Sequence, residues 1–353
     1  MPFGEIKISN EELKQQLGVS AKGVTRTTLL ALHAINQAIK DSGLSQEDLS
    51  SFDTALIGAT TVGGMCHTDE LFADANVSEI GSEYLSSYEL GTVNQYLQKH
   101  LGMVGTSAMY NTACSSSANT LMMGARMMKQ GRYKRVLAGG VDAMAAFTLN
   151  GFRSLMIYDA EYCRPFDASR SGLNLGEGAA YLLLETEDSL QETGNKPLAI
   201  LSGWGNANDA YHQTASSPDG NGATMAMQNA LKCAGLQPEQ ISYVNAHGTA
   251  TPNNDLSESK ALINVFGGNV PKFSSTKAFT GHTLAAAAAI EAVYSVLALQ
   301  HNLVFPNMNF KRPMEEFNLI PQTALKEKNI NHVLSNSFGF GGNCSTVIFS
   351  KSE

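Results

Sequence analysis

Cys114 stands between Thr112-Ala113 and Ser115-Ser116-Ser117, where a stretch rich in small residues and methionine opens a helix running from Ser116 to Met128. A thiol at a helix N-terminus feels the positive end of the helix dipole and unpaired backbone N–H groups. Both favour the thiolate, the form that attacks carbonyl carbon. Small neighbours leave room for a substrate. A lone cysteine is nonetheless more often a buried structural residue, so this context alone leaves both readings open. Cys66, Cys163, Cys233 and Cys344 have no comparable setting and form no CxxC pair, which suggests neither a zinc site nor a disulfide framework. Scattered thiols in an odd number fit a reducing, cytoplasmic compartment.

Two histidines share the look of chemistry. In Val244-Asn245-Ala246-His247-Gly248-Thr249-Ala250-Thr251-Pro252 an apolar strand ends at His247, and Gly248 frees the backbone where an imidazole could face a cavity. Thr249 and Thr251 alternate, so their hydroxyls could line one side of a channel. The second histidine closes Ser275-Thr276-Lys277-Ala278-Phe279-Thr280-Gly281-His282. A single histidine is more often a satisfied polar residue, but two on glycine-flanked turns between apolar segments are harder to dismiss. Neither has metal-ligand spacing with other donors, so hydrogen-bonding roles are expected and no metal. The last element, Asn336-Ser337-Phe338-Gly339-Phe340-Gly341-Gly342, sets two aromatic rings among three glycines. It suits a gate, or a backbone N–H that comes close to a reacting oxygen, and equally a tight turn with core aromatics.

The elements that must hold these residues are legible in part. Asn10 with Glu11-Glu12-Leu13 reads as a capped short helix. Thr25 to Asp41 reads as an amphipathic helix with Leu29, Leu32, Ile35 and Ile39 on one face, stopped at Ser42-Gly43. Thr54–Ala59, Val136–Gly140 and Ala179–Leu184 are short apolar runs of buried-strand type. Buried strands alternating with helices indicate an α/β fold with both sheet faces covered. Cys114 and His282 each sit on a turn that leads into a helix of small residues, the second an alanine-rich stretch from Leu284 to Leu299. That pattern predicts two pseudo-duplicated halves, residues 1–190 with the cysteine and 191–353 with the histidines and Lys277, fused in one compact body. The 353 residues, 43% hydrophobic, allow a large core, and no charge-free run of about 18 apolar residues suggests a membrane span. A net charge of −8 disfavours nucleic acid, and an acidic partner needs a local basic patch.

Taken in order, Cys114, His247, Lys277, His282 and Phe338-Gly339-Phe340-Gly341-Gly342, with Arg164-Pro165-Phe166-Asp167 and Gly176-Glu177-Gly178-Ala179, resemble the β-ketoacyl-ACP synthase family of the thiolase superfamily. The resemblance runs from about Asp41 to the end. It implies a five-layered α-β-α-β-α thiolase fold, a homodimer, and a decarboxylative Claisen condensation in fatty acid or polyketide/polyene synthesis. By the same resemblance Cys114 carries the acyl group, and His247 and His282 stabilise the enolate of a malonyl extender. Lys277 orders the site, with Glu291 as its acidic partner. The backbone N–H groups of Cys114 and Phe340 hold the oxyanion, and Phe338 and Phe340 belong to the gating loop. Thr249 and Thr251 contact the phosphopantetheine arm, which enters on acyl carrier protein, so no separate cofactor is implied. Val62 limits acyl-pocket depth, and Lys22 and Arg26 occupy positions near the carrier-docking surface. The basic run Arg126, Lys129, Arg132, Lys134 and Arg135 reads as a solvated helix end.

His282 distinguishes the elongating class, since initiating synthases carry asparagine there. Cys114 speaks against a chain-length-type partner subunit, the alternative in another class. A degradative thiolase is disfavoured, because that family's second cysteine has no match near Gly339–Gly342. Two departures stand out. The family's opening strand and helix have no counterpart before Phe3, so a start inside a longer reading frame is expected. The last motif continues Asn343-Cys344 where the family has Thr-Asn, so its hydrogen bonding must be rearranged, as in a subfamily with an unusual chain.

Overall fold

The computed structural model describes residues 2–68, 71–72 and 81–352. Its first sheet has the order β2-β1-β3-β4, built from β1 (Thr54–Ala59), β2 (Ser107–Tyr110), β3 (Arg135–Asp142) and β4 (Gly178–Glu185). β1 runs parallel to β2 and β3, and β4 returns antiparallel. The second sheet has the order β5-β11-β10-β6-β7, from β5 (Ile200–Asn208), β6 (Tyr243–Asn245), β7 (Lys272–Ser274), β10 (His332–Phe338) and β11 (Asn343–Ser350). A ribbon of β8 (Leu303–Val304) and β9 (Lys326–Glu327) stands apart.

Three helical layers cover the sheets. α1 (Asn10–Leu17), α2 (Arg26–Ser42) and α3 (Gly91–His100) lie outside the first sheet. α4 (Ser116–Lys129) and α5 (Ala287–His301) fill the space between the sheets, and α6 (Asn221–Ala234) with α7 (Pro252–Phe266) covers the outside of the second. The result is the five-layered α-β-α-β-α arrangement that the resemblance implied. The central layer explains the composition of its helices. α5 touches both sheets and α4, so Ala287, Ala288, Ala289, Ala292 and Ala298 are all buried, and small side chains let the layers approach. Leu284–His301 is long and apolar enough for a membrane span, but it is this mostly buried core helix.

Local signals placed the elements closely. α2 is capped by the Thr25 hydroxyl and ended by Gly43 in the left-handed conformation, with Leu29, Leu32 and Ile35 fully buried and Ile39 half-buried. The cap of α1 is Ser9 rather than Asn10: its hydroxyl accepts from the Glu12 N–H, and the Glu12 carboxylate accepts from the Ser9 N–H. β6 ends at Asn245, two residues short of His247. The alanine-rich stretch begins with a 3₁₀ turn, Leu284–Ala286, before α5 proper. β2 leads through the Cys114 turn into α4, and β7 leads through the Lys277–His282 turn into α5, so both reactive turns open onto the central layer.

Candidate active site

The turn that holds Cys114 is strained and pinned. Ala113 has φ +53°, a left-handed conformation that costs an L-residue about 1–2 kcal/mol. The Ser116 hydroxyl fixes it by accepting the Thr112 N–H at 2.8 Å and donating to the Ala113 carbonyl at 2.5 Å. The Asn111 side-chain oxygen takes the Ala113 N–H at 3.1 Å. The sulfur is thereby buried at the head of α4, within reach of its own backbone N–H and that of Phe340.

The folded chain does not hold the expected thiolate. Burial pushes the Cys114 thiol up to about 12, against the opposing pull of the Lys277 charge and the two backbone N–H groups. Desolvation outweighs the helix terminus, and Cys114 rests as a neutral thiol.

His247 and His282 meet edge to face, ring centroids 5.4 Å apart, and Cys114 borders the same cavity. Burial holds both imidazoles well below the ordinary histidine value, and the Lys277 charge adds to this, so both rings are neutral at neutral pH. Their tautomers follow from their neighbours. The Leu284 N–H donates to His282 Nδ1 at 3.2 Å, which leaves the ring proton on Nε2. Lys277 Nζ lies 3.3 Å from His247 Nδ1, and an ammonium can only donate, so that proton also sits on Nε2. Lys277 is held in turn by an ion pair with Glu291, both side chains nearly fully buried. The second Glu291 oxygen accepts the Ser337 hydroxyl at 3.3 Å. Burial raises the Glu291 carboxyl, and the adjacent ammonium opposes it.

Around this centre lies a cavity of about 390 Å³. Its wall includes Thr249 and Thr251, whose hydroxyls are 2.9 Å apart, and the apolar side chains Phe152, Ile157 and Leu173. Exposed Met156, Thr214 and Asn253 mark its open side. Phe338 is buried with its ring 5.5 Å from His247, while the Phe340 ring stacks on Phe152 at 5.8 Å. Val62 is buried behind this wall, packed in a small apolar cluster with Leu173. A wider groove of about 630 Å³, lined by Glu161, Tyr162, Arg164 and Lys311 among others, holds none of the candidate residues.

Two glycines show how tightly the site is assembled. A Cβ on Gly339 would stand 2.6 Å from the Thr112 carbonyl oxygen and 3.2 Å from the Cys114 nitrogen. Gly248, at φ +35°, would strike Ser275 and Phe166.

Of the docking candidates, Lys22 is exposed, but Arg26 must be withdrawn. Its guanidinium grips Glu177 through Nε at 2.9 Å and Nη2 at 2.6 Å, and also bonds the Ile6 and Ile8 carbonyls and Asn10. Every donor is committed within the fold, where it ties the N-terminal segment to the Gly176-Glu177-Gly178 turn. In the other basic run, Arg135 is buried against Asp48 at 3.0 Å, Lys134 pairs with Glu192, and Lys129 covers the Trp204 ring, so that run is less free than a solvated helix end.

Sequence reasoning missed the buried acids behind the histidine loop. Glu258 on α7 accepts the His247 N–H at 2.9 Å, the Gly248 N–H at 2.8 Å and the Asn336 amide at 3.1 Å. Asp255, one turn earlier, accepts the Phe166 and Ala250 N–H groups. Asp142 takes five donors, among them the Val62 and Ala285 N–H groups. The available signal was two carboxylates three residues apart on a helix face shared with Ala261 and Leu262.

Comparison with known proteins agrees with this geometry. Residues 11–189 match the family model for the β-ketoacyl synthase N-terminal domain, and residues 198–311 match that for the C-terminal domain. The chain is 34% identical over 348 residues to the 3-oxoacyl-[acyl-carrier-protein] synthase 2 of Staphylococcus aureus strain N315, covering 94% of this chain and 83% of that protein. Among solved structures it resembles the ishigamide ketosynthase/chain length factor at TM-score 0.88 and 28% identity, over 94% of this chain and 83% of that one. It also resembles AntDE:AntF, a type II polyketide acyl-carrier protein in complex with its ketosynthase, at TM-score 0.90 and 25% identity, over 99% and 88%. With both of its domain models matched in order and a relative aligned along nearly its whole length, this chain belongs to the β-ketoacyl synthase family of the thiolase superfamily.

Proposed function

We propose that this chain is an elongating β-ketoacyl-[acyl-carrier-protein] synthase, an acyltransferase working as a cytoplasmic homodimer on carrier-bound thioesters of fatty acid or polyketide type. The observation that carries it is the pair of neutral imidazoles, each fixed with its proton on Nε2, bordering one cavity with Cys114. Such a pair donates two hydrogen bonds to one oxygen without bringing a net charge.

In the first half-reaction Cys114 sulfur attacks the acyl thioester carbonyl. The oxyanion is held by the Cys114 and Phe340 N–H groups, the phosphopantetheine thiol leaves, and it carries away the proton that the cysteine gives up. In the second, the malonyl thioester loses carbon dioxide, and its C–C electron pair becomes an enolate whose oxygen accepts from His247 and His282. The enolate carbon attacks the acyl carbonyl on Cys114. Collapse of the oxyanion releases the β-ketoacyl thioester and a cysteine thiolate, which takes from solvent the one proton that the decarboxylative condensation consumes. The phosphopantetheine arm passes Thr249 and Thr251 and supplies both thioesters, so the reaction as written needs no further group. Phe340, stacked on Phe152, closes the wall that the extender must pass, and Lys22 is the remaining candidate for docking an acidic carrier.

The test separates the two halves. A labelled acyl-carrier thioester should label wild-type protein at Cys114 and leave Cys114→Ala unlabelled. Cys114→Gln should still release carbon dioxide from malonyl carrier. Normal condensation by either variant removes Cys114 as nucleophile, and a wild-type chain that accepts no acyl group favours a partner-subunit role.

A further inference from the structure

Asn343, where the sequence leaves the family pattern, occupies the junction between the two turns that supply the oxyanion donors. Its side-chain oxygen accepts the Ser115 hydroxyl at 2.8 Å, the Asn119 amide at 3.0 Å and the Asn206 amide at 3.0 Å, with the Ser345 hydroxyl at 3.1 Å. Ser115 follows the nucleophile directly, Asn119 lies one turn further along α4, and Asn206 belongs to β5. The backbone carbonyl of Asn343 meanwhile accepts the Gly339 N–H at 2.8 Å and closes the turn that presents Phe340. One residue therefore grips both sides of the seam. The seam also has no space to give, because Gly339 meets the Thr112 carbonyl and the Cys114 nitrogen without room for a Cβ.

The network reaches back through the nucleophile's turn. Asn119 also donates to the Thr112 hydroxyl at 2.8 Å, and the Ser115 hydroxyl shares its one proton between Asn343 and the Thr112 carbonyl, which lies 2.7 Å away. Thr112 is the residue whose N–H the Ser116 hydroxyl pins at the base of the strained Ala113 turn. Three elements distant in sequence converge on one neutral acceptor, and among the described residues no side-chain hydrogen bond of this network runs to the histidine pair's own supports, Glu258, Lys277 and the Leu284 N–H. The two hydrogen-bonding systems can be loosened separately.

We propose that Asn343 is the positioning residue for the oxyanion hole, setting the separation of the Cys114 and Phe340 N–H groups through its bond to Ser115. It touches no substrate. Its influence is confined to steps that pass through a tetrahedral oxyanion on the acyl-cysteine, and this rests on the synthase reading above.

Three rates test it: acylation of Cys114 in a single turnover, condensation at steady state, and malonyl decarboxylation in the Cys114→Gln background. Asn343→Ala should lower acylation and condensation about 10–100-fold, since small displacements of oxyanion donors are costly. KM for the carrier thioester and decarboxylation should each stay within about threefold, a split that general loosening of the fold does not produce. Ser115→Ala removes the same bond from the other side and carries the test if Asn343→Ala folds poorly. The double variant should be no slower than about twofold below the slower single one. Acylation by Asn343→Ala within threefold of wild type overturns the proposal, as does a parallel fall in decarboxylation or a fully multiplicative double variant. A wild-type chain that takes no acyl group removes the synthase reading, and this one with it. A wild-type chain that does, matched by Asn343→Ala, removes this one alone.

Discussion

Replacing Lys277 by methionine tests the tautomer argument most directly, because stability and activity should respond differently to a second change. Lys277 and Glu291 are each 2% exposed, and the ammonium is the charge partner of the buried carboxyl. Without it, Glu291 keeps only the Ser337 hydroxyl at 3.3 Å. Breaking a buried pair from one side costs about 3–5 kcal/mol. Unfolding entropy for 353 residues is on the order of 0.7 kcal/mol/K, so Tm should drop by about 4–7 °C. Adding Glu291→Gln removes the stranded carboxyl, and most of that loss should return. Activity should not return. In the double variant His247 Nδ1 has lost its donor, so its proton is free to move from Nε2 to Nδ1. The ring then presents a lone pair to the enolate oxygen that it should stabilise. Losing one such donor costs about 10²–10³ in rate. The assay is carbon dioxide release from malonyl carrier in the Cys114→Gln background, alongside thermal unfolding of each variant. A double variant within fivefold of the parent rate shows that Lys277 does not set the His247 tautomer, and the donor-pair mechanism loses its basis.

Two further outcomes follow from buried charge. Burial raises the Glu258 carboxyl to about 7, so the folded protein holds a proton that the unfolded chain has released. That contribution is complete below the unfolded value and is lost as pH rises through 7, amounting to about 3 kcal/mol between pH 5 and 8. Chemical unfolding of wild type and Glu258→Gln over this range should therefore converge on the alkaline side by that amount, and parallel curves would mean Glu258 does not titrate there. Arg26→Ala strands Glu177, which retains only the Ile6 and Met144 N–H groups, so stability should fall by about 3 kcal/mol with KM for the carrier unchanged. Lys22→Glu should do the reverse, raising KM several-fold at unaltered Tm, and equal KM effects from both would return Arg26 to the docking surface.

What the sequence disclosed was whatever has a local signature. Thr25 and Gly43 bracket α2 because a cap hydroxyl and a left-handed glycine act within one turn. Cys114, His247, Lys277 and His282 were legible because each sits on a turn with its own composition, and the structure brings all four together. Glu258 and Asp142 were invisible for the opposite reason. Their partners are backbone N–H groups of remote turns, and a carboxylate that accepts peptide donors leaves no mark in the sequence of the peptides that donate. Arg26 failed similarly: a lone arginine at a helix start looks like a surface charge until Glu177, 151 positions away, folds against it.

The error over Cys114 goes deeper, because local and global physics disagree there. A helix N-terminus favours the thiolate, and the sequence shows the helix; burial favours the thiol, and only the folded chain shows that. Burial prevails, and the same burial keeps both imidazoles uncharged while Lys277 is matched by Glu291. The resting site is therefore electrically quiet. It offers backbone and imidazole N–H groups already aimed, and negative charge arises only when a thioester supplies the carbonyl or carboxylate on which it develops. A thiolate formed in advance would be open to oxidation and to alkylation, whereas a neutral thiol beside two fixed donors is spared both until an acyl thioester arrives whose leaving thiol can take its proton. In the proposed mechanism the alignment of the Cys114 and Phe340 N–H groups governs the rate more than the acidity of the sulfur does, which is why a neutral carboxamide at Asn343 can matter to a reaction it never touches.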